Sequence, residues 1–382
     1  MSRCANGWSP LLAAVVFAGL LAGPGASRAG TCPLEYRTNG PTAGFRLSME
    51  GVEIRFQKEP EYAGEQIVRS VLRVGPGKKE YLGFACDLEG KKLYLDLNRN
   101  LDLTDDPDGI HASTGEDWAH SFKNIAIPIQ HDGRRRDLVV DLQIYSESYG
   151  RYTVKSSWGN DAVAIGDGLW RVSVVDNGDG VIDREDSLYL EPAGKVSRKR
   201  AADAQVDVQA VASLTLDGAP FDVSYELGED GKTLALSVEP GKKKLVDVEL
   251  AGEGVERVVM QDQGSAAVFF APKSAIRLPA GRYRGSVRVR TGEGKNSILW
   301  EADNVSHRVR EEGGESWRVG GPIVSKLACS KAGSYLTFTQ AATGVGGEEY
   351  SPAGLVSEAL GKPKLRVKKD GEVIHVGNFE YG

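Results

Sequence analysis

Short segments in which apolar and polar residues alternate run along most of the chain, and turn residues separate them. Val52–Phe56 is one such segment, and Leu138–Tyr145 and Arg284–Arg290 are others. A period of two is typical of β-strands with one buried face. Long segments with a helical period are missing from the sequence, and the one short helix predicted lies around Ser351–Leu360. The pattern therefore predicts an all-β protein.

Turn signals predict how these strands are connected. Asp-Gly pairs at 217–218, 230–231 and 370–371 stand between alternating segments, which is a strong signal for β-hairpins. The segment Ile125–Ile129 contains Pro128, which favours an edge strand because proline cannot donate a ladder hydrogen bond.

We predict two or three antiparallel β-sandwich or Ig-like domains with hairpin connections. The predicted divisions are a signal peptide at 1–29, an N-terminal β domain at 30–196, a middle β domain at 205–316 and a C-terminal Ig-like sandwich at 317–382. A polar, charged linker is expected between the first two domains.

The first 29 residues have the order of regions found in a secretion signal. Arg3 precedes the apolar run Leu11–Leu21, and Ser27-Arg28-Ala29 places small residues before a cleavage point after Ala29. The apolar run is shorter than the roughly 20 residues needed to cross a bilayer. We therefore expect an exported protein, periplasmic, on the cell surface or extracellular, with no transmembrane segment in the mature chain.

The net charge of the mature chain argues against one class of partner. The chain has 47 Lys and Arg against 53 Asp and Glu, and the signal contains two arginines and no acid. The mature chain thus carries 45 basic and 53 acidic residues, a net charge of −8, which argues against a nucleic-acid partner.

Three cysteines remain after cleavage: a Cys32–Cys86 bridge is permissible outside the cytoplasm, and burial of all three as small apolar side chains is the alternative.

An acidic loop, here loop 1 (Asp96–Asp106), follows the alternating segment that ends at Leu95. Oxygen-bearing side chains recur at every second position, the spacing that lets a short loop converge on Ca²⁺. An EF-hand loop has glycine at position 6, where loop 1 has Leu101, and a left-handed backbone costs such a residue about 1 kcal/mol or more. A different turn is therefore expected there. The predicted ligands are Asp96, Asn98, Asn100 and Asp102, closed by Asp105 or Asp106.

A second acidic loop, loop 2 (Asp176–Asp186), follows another alternating segment. When Gly180 is placed at position 6 of an EF-hand loop, position 1 is Val175, which has no ligating side chain. Either the loop is one residue short and Asp176 still reaches the ion, or the site is degraded. The predicted ligands of this weaker site are Asp176, Asn177, Asp179, Asp183 and Asp186. For both loops the alternative is that Asp and Asn simply form turns.

Several motifs give the chain a family resemblance. They are Leu93–Asp106, Val175–Asp183, Leu278–Tyr283, Gly346–Tyr350 and the ending Gly377–Gly382. With these motifs the chain resembles uncharacterised exported bacterial proteins that are rich in β-structure and carry EF-hand-like calcium loops. The resemblance implies an exported, β-rich, calcium-binding protein and no known enzymatic activity. From the loops themselves we expect Ca²⁺ to be a structural cofactor.

The sequence contains no catalytic motif, and no residue is assigned a catalytic role. The leading hypothesis is a calcium-binding β-sandwich protein with a structural, adhesive or interaction role, whose partner could be a cell-envelope protein or a polysaccharide. The rival is an envelope carbohydrate-binding protein or hydrolase. Its basis is an aromatic cluster on one predicted hairpin that could stack on sugars: Tyr145, Tyr149, Tyr152 and Trp158.

Overall fold

The computed structural model is almost entirely β-structure. It describes residues 30–48, 54–75, 81–115, 119–131, 134–145, 149–193, 205–229, 231–292, 297–332, 335–353 and 364–378. The predicted signal peptide and most of the predicted short helix lie outside these ranges. Ser351 and Pro352, at the start of that predicted helix, belong to a strand.

The described residues form 28 strands and one short 3-10 turn, Pro107–Gly109. The first twelve strands are β1 Gly30–Arg37, β2 Ala43–Ser48, β3 Ile67–Arg73, β4 Tyr81–Asp87, β5 Lys92–Leu95, β6 Ile110–Ala112, β7 His120–His131, β8 Arg134–Ile144, β9 Tyr149–Val154, β10 Ser157–Ile165, β11 Gly168–Val175 and β12 Ser187–Pro192. The next eleven are β13 Val206–Gln209, β14 Ser213–Leu216, β15 Ala219–Leu227, β16 Thr233–Pro240, β17 Leu245–Leu250, β18 Val255–Gln261, β19 Ser265–Phe270, β20 Ala275–Pro279, β21 Gly281–Thr291, β22 Ile298–Val309 and β23 Glu315–Trp317. The last five are β24 Val324–Ala332, β25 Tyr335–Thr343, β26 Glu349–Pro352, β27 Lys364–Lys369 and β28 Glu372–Asn378.

Two four-stranded antiparallel sheets near the N-terminus share one hydrophobic core. Their strand orders are β2-β9-β8-β7 and β3-β4-β5-β6. Leu72 and Phe84 from one sheet and Val140 from the other are fully buried in this core. Each such side chain contributes about 1.5–3 kcal/mol through removal of its apolar surface from water. The predicted all-β, sandwich-like fold is confirmed.

A 15-stranded sheet runs from β13 to β24 through β1, and most of its neighbouring strands are antiparallel. Strand β1 lies between β10 and β16, and it pairs with β16 from Gly30↔Val238 to Glu35↔Thr233. Two further hydrophobic cores pack against this sheet. One of them includes Leu34, Leu190 and Leu234, which come from strands far apart in the chain.

The core around Leu34 crosses the predicted boundary between the N-terminal and middle domains. Leu188 and Leu190 precede the predicted linker, and Leu214 and Leu236 follow it, yet all four belong to the same core. The predicted domain limits stay a prediction, but residues on both sides of 196–205 depend on one another for burial.

Two of the predicted hairpin turns have the backbone that the Asp-Gly signal requires. Asp217 and Gly218 have φ values of 47° and 81°, and Asp370 and Gly371 have values of 50° and 88°. Positive φ at both central residues defines the turn that matches the twist of paired strands. The third pair includes Asp230, which is outside the described residues. The predicted edge position of the Pro128 segment is also confirmed, because β7 ends its sheet.

The three cysteines of the described residues are free thiols in three different places. Cys86 is buried in the N-terminal sandwich, Cys32 is on β1, and Cys329 is exposed on β24. The Cys32–Cys86 bridge is therefore not formed. Burial raises the pKa of the Cys86 thiol to about 12, which makes it an inert core residue rather than a reactive one. The alternative of three buried cysteines holds for Cys86 and fails for Cys329.

Candidate metal centre

Loop 1 begins where strand β5 ends in the wall of the N-terminal sandwich. Asp96 is 1% exposed, and its N–H donates to the carbonyl of Gly83 at 2.9 Å. Both oxygens of its carboxylate accept backbone N–H groups: Oδ1 accepts from Asn100 and Oδ2 from Leu101, each at 3.0 Å. The buried side chain of Asp96 thus fixes the turn in the middle of loop 1 through these hydrogen bonds.

The alternating side chains of loop 1 form successive turns. Asn98 Oδ1 accepts the N–H of Asn100 at 3.0 Å, and Asn100 Oδ1 accepts that of Asp102 at 2.7 Å. Asp102 in turn accepts from Thr104 N at 2.8 Å. Asp and Asn side chains commonly bond to the backbone two residues ahead. This spacing explains how the loop turns without flanking helices.

Leu101 has a left-handed backbone, with φ of 66°. The expectation of a different turn at position 6 is therefore wrong: leucine adopts there the conformation that glycine adopts in an EF-hand loop. The local cost of about 1–2 kcal/mol is offset by hydrogen bonds on both sides of the residue. Its N–H bonds to Asp96, and its carbonyl accepts from Gln57 N at 2.8 Å.

The acids that could close loop 1 differ in their surroundings. Asp105 accepts from the side-chain amides of Asn98 at 3.2 Å and Asn100 at 2.7 Å. Asp106 Oδ2 lies 3.5 Å from Asn98 N. Burial, then the charges of Asp105 and Asp96, raise the pKa of Asp106. A nearby cation would relieve this repulsion and favour the ionised form of the Asp106 carboxyl.

Asp102 does not converge with the other acids of loop 1. Its Oδ1 accepts from both N and Oγ1 of Thr104, and its Oδ2 lies 3.7 Å from Lys58 Nζ. The hydrogen bonds from Thr104 lower the pKa of this carboxyl. A ligand role for Asp102 would therefore have to come from its carbonyl, the group that position 7 supplies in an EF-hand loop.

Loop 2 repeats the same hydrogen-bond scheme at the end of strand β11. Asp176 Oδ1 accepts from Gly178 N at 2.5 Å and from Gly180 N at 3.2 Å. Asn177 Oδ1 accepts from Asp179 N at 2.9 Å, and Asp179 Oδ1 accepts from Val181 N at 2.8 Å. Gly180, with φ of 82°, takes the position that Leu101 takes in loop 1.

Asp186 closes loop 2 from its far end. Its Oδ1 accepts from Asn177 N and its Oδ2 from Asp183 N, both at 2.8 Å. Asp183 itself bonds to Glu185 N at 2.7 Å. The side chains of Asn177 and Asp183 thus support the turn, whereas Asp186 points back to the start of the loop.

Three aspartates of loop 2 come close enough to share one ion. Asp176, Asp179 and Asp186 each offer a carboxylate oxygen, and these oxygens lie within 4.8 Å of one another. Asp176 is 0% and Asp186 is 1% exposed. This group could hold a metal ion, and among the described residues it is the one set of three acids with this spacing. The one-residue shortening of loop 2 therefore leaves Asp176 within reach.

Burial of these carboxyls without enough positive charge changes their acidity. Burial, followed by the charge of Asp176, raises the pKa of Asp186 to about 8. Burial is also the main cause that raises the pKa of Asp179, and the charges of Asp176 and Asp183 add to it. A bound cation would favour the ionised form of both carboxyls, and the ionised carboxylates would in turn attract the cation.

Residues outside the two loops complete the environment of the loop 2 group, and the sequence did not single them out. Arg136 on β8 pairs with Asp176 Oδ2, and its guanidinium carbon lies 4.6 Å from the ring centroid of Trp158. Burial, and then the charge of Asp186, raise the pKa of Tyr225. One signal was present: Arg136 lies two residues before Leu138, on the alternating face that is buried further along β8.

One short segment contacts both loops. Arg99 Nη2 of loop 1 lies 3.4 Å from the carbonyl of Val74, and Gly75 N donates to the carbonyl of Gly178 in loop 2 at 2.9 Å. Val74 is fully buried. The two loops are therefore held to the same end of strand β3.

The predicted sugar-stacking cluster is divided between surface and core. Trp158 is 0% and Tyr152 is 7% exposed, and Tyr152 stacks on Phe45. Tyr145 and Tyr149 stack on each other with centroids 5.3 Å apart, and Tyr149 is 37% exposed. Only two of the four aromatics thus remain available at the surface.

Comparisons with protein-family models, with curated proteins and with solved structures give no match to this chain. In the part of the chain that the structure describes, no helix has the length and apolar character needed to cross a membrane.

Proposed function

We propose that this is an exported calcium-binding β-sandwich protein in which Ca²⁺ holds loop 2 and, through a second site, loop 1. The observation that carries the proposal is the group of Asp176, Asp179 and Asp186, whose carboxylate oxygens converge; Asp176 and Asp186 are buried and Asp179 is half-buried. Oxygen-only ligands from a flexible loop suit Ca²⁺ better than Zn²⁺, which favours nitrogen and sulfur.

The charge balance of loop 2 supports a divalent ion. Three carboxylates, two of them buried and one half-buried, face one guanidinium, so the fully ionised group carries a net negative charge with little access to water. Buried charges are costly unless they are paired or bound to a metal. Ca²⁺ would supply the missing charge and the additional oxygen-ligand contacts.

The shared turn scheme extends the proposal to loop 1. In both loops the N–H at position 6 bonds to the first aspartate, and the closing acid faces the N–H of an asparagine near the start. We assign Asp96, Asn98, Asn100, Asp105 and Asp106 to this second site.

The biological role that fits such sites is structural or adhesive. Loop 1 bonds to Val74 and loop 2 to the next residue, Gly75, so bound ions would fasten the N-terminal sandwich to the large sheet at one place. Extracellular modules typically bind Ca²⁺ at about 10⁻⁴–10⁻³ M, which suits a structural ion in a calcium-containing medium. A cell-envelope protein or polysaccharide remains the proposed partner.

Calorimetric titration of residues 30–382 with CaCl₂ tests this function. We expect two sites in the wild-type protein, loss of one with Asp186→Asn, and loss of the other with Asp106→Asn. Asp222→Asn, which removes an exposed acid from β15, is the matched control and should bind as the wild type does. Absence of binding up to about 5 mM, above the range of extracellular sites, would refute the proposal.

The rival carbohydrate hypothesis keeps one specific observation. The half-buried Tyr145 stacks on the exposed Tyr149, and the guanidinium carbon of Arg46 lies 4.9 Å from the Tyr149 ring centroid. Aromatic faces of this kind can stack on sugars. Retention on a polysaccharide column that Tyr149→Ala abolishes would support it, and Trp158, which is buried, should not be used as a probe.

A further inference from the structure

Arg136 is buried at loop 2 and is already bound to one of the proposed ligands. Its side chain is 8% exposed, that of Asp176 is 0% exposed, and the two form an ion pair through Nη2 and Oδ2. The guanidinium also lies against the face of Trp158, which is 0% exposed. A positive charge of the protein itself thus already pairs with one of the three converging carboxylates.

We propose that Arg136 is the internal counter-cation of loop 2 in the metal-free protein, and that a divalent cation replaces it at Asp176 on binding. This inference rests on the proposed function, because it concerns the same site. It assigns to Arg136 a regulatory role: the residue stabilises the empty loop and weakens its affinity for the ion.

The hydrogen bonds of Asp176 explain why the two cations compete. Its Oδ1 already accepts two backbone N–H groups, from Gly178 and Gly180. A carboxylate oxygen has about two acceptor directions, so Oδ1 has little left to offer a metal. The remaining ligand atom is Oδ2, and Arg136 holds it.

Two buried polar atoms near the ion pair show that the metal-free arrangement leaves bonding capacity unused. Arg136 Nη1 and the hydroxyl of Tyr225 have no hydrogen-bond partner among the described residues. A buried guanidinium with an unpaired N–H group is stabilised less by charge-assisted hydrogen bonds than one whose N–H groups are all paired. Replacement at Asp176 by a smaller, doubly charged ion is therefore favourable, and it frees the guanidinium from Trp158.

Calcium titrations of three arginine variants test the competition. Arg136→Gln removes the internal charge, Arg136→Lys keeps it, and Arg135→Gln removes an equal charge from the exposed neighbouring residue. We expect Arg136→Gln to bind Ca²⁺ about tenfold or more tightly, because a like charge beside the ligand repels the ion in a poorly hydrated site. Arg135→Gln should stay within about twofold, because exposed charges are well screened.

Tryptophan fluorescence tests the displacement itself. Release of the guanidinium should change the emission of Trp158 when the wild-type protein is saturated with Ca²⁺. The change should be smaller in Arg136→Gln, where no guanidinium leaves the ring. If Arg136→Gln is destabilised without metal, its melting temperature should rise more on addition of Ca²⁺ than that of the wild type, so the comparison is still decisive.

The outcomes separate this inference from the proposed function. Tighter binding by Arg136→Gln with unchanged binding by Arg135→Gln supports both. Binding by the wild type that Arg136→Gln leaves unchanged or weakens overturns the inference and leaves the function standing. Binding by Arg136→Gln alone would mean that Arg136 permanently replaces the metal, which overturns the function and the exchange. No binding by either protein refutes both.

Discussion

Leu101 and Gly180 occupy equivalent positions in the two acidic loops, although one is a branched residue and the other has no side chain. Their φ values are 66° and 82°, and each donates its N–H to the first aspartate of its loop, Asp96 or Asp176. The hydrogen-bond scheme of these loops therefore enforces a left-handed residue at this position, whatever the residue is.

Leu101→Gly is expected to stabilise the protein by up to about 1 kcal/mol. Relief of the left-handed strain, about 1–2 kcal/mol, exceeds the extra unfolded-state entropy of glycine, about 0.5–1 kcal/mol. Urea unfolding of both proteins measures the difference. Leu97→Gly is the control: Leu97 packs against the sandwich core and has no positive φ, so glycine there should destabilise. Destabilisation by Leu101→Gly equal to that of the control would contradict the strain argument.

The metal-free protein should lose stability as the pH rises from about 4 to about 8. Asp186 has a pKa of about 8 when folded, against about 3.9 for an unfolded aspartate. Between these values the folded state holds a proton that the unfolded state has released, so its contribution is complete below pH 4 and is lost towards pH 8. Chemical denaturation in EGTA at several pH values measures the slope.

Asp186→Asn provides the control for this pH dependence, because it removes the titrating group. Its slope between pH 4 and 8 should be clearly smaller than that of the wild type. Saturating Ca²⁺ should also remove the loss, since the ion favours the ionised carboxylate. If the stability of the wild-type protein in EGTA stays constant or increases with pH, Asp186 does not have the raised pKa on which this prediction rests.

A chain ending at residue 196 is expected not to fold cooperatively. Strand β1 would lose its partner β16, and the core around Leu34 would lose Leu214, Leu234 and Leu236. Lost burial of this extent removes several kcal/mol. Circular dichroism melts of residues 30–196 and 30–382 compare the two. A sharp melt of the shorter chain would show that the predicted N-terminal domain is independent of the rest.

Tyr149→Ala and Tyr152→Ala should differ strongly in their effect on stability. Tyr152 is 7% exposed and stacks on Phe45 with centroids 5.0 Å apart, so its truncation should cost about 3 kcal/mol or more. Tyr149 is 37% exposed and should cost under about 1 kcal/mol. Urea unfolding of the two variants checks this, and similar costs would contradict the observed division of the aromatics.

The fold class could be predicted because strand alternation and turn chemistry are local signals. The Asp-Gly pair at 217–218 determines its hairpin within four residues, and Pro128 marks an edge strand through its missing N–H. The pairing of Gly30–Arg37 with residues of the predicted middle domain could not be predicted, because it joins segments about 200 residues apart. No local pattern identifies such a partner.

The acidic residues of the candidate site could be predicted from the sequence, but the arginine that pairs with one of them could not. Spacing alone indicated five residues of loop 2, and three of them converge, namely Asp176, Asp179 and Asp186. The sequence favoured loop 1, because its positions 1, 3 and 5 all carry a side-chain oxygen. The structure favours loop 2, where these three acids come together. Arg136, 40 residues earlier in the chain, reaches them only through tertiary packing.

The most direct test of the calcium site is a pair of thermal melts of residues 30–382 at pH 7.5, in EGTA and in about 2 mM Ca²⁺, for the wild type and Asp179→Asn. With affinities typical of extracellular sites, linkage predicts a rise of about 1–7 °C for the wild type. Asp179→Asn should lose the part of this rise that loop 2 provides. No rise in the wild type, or an equal rise in Asp179→Asn, would contradict a calcium site at Asp176, Asp179 and Asp186.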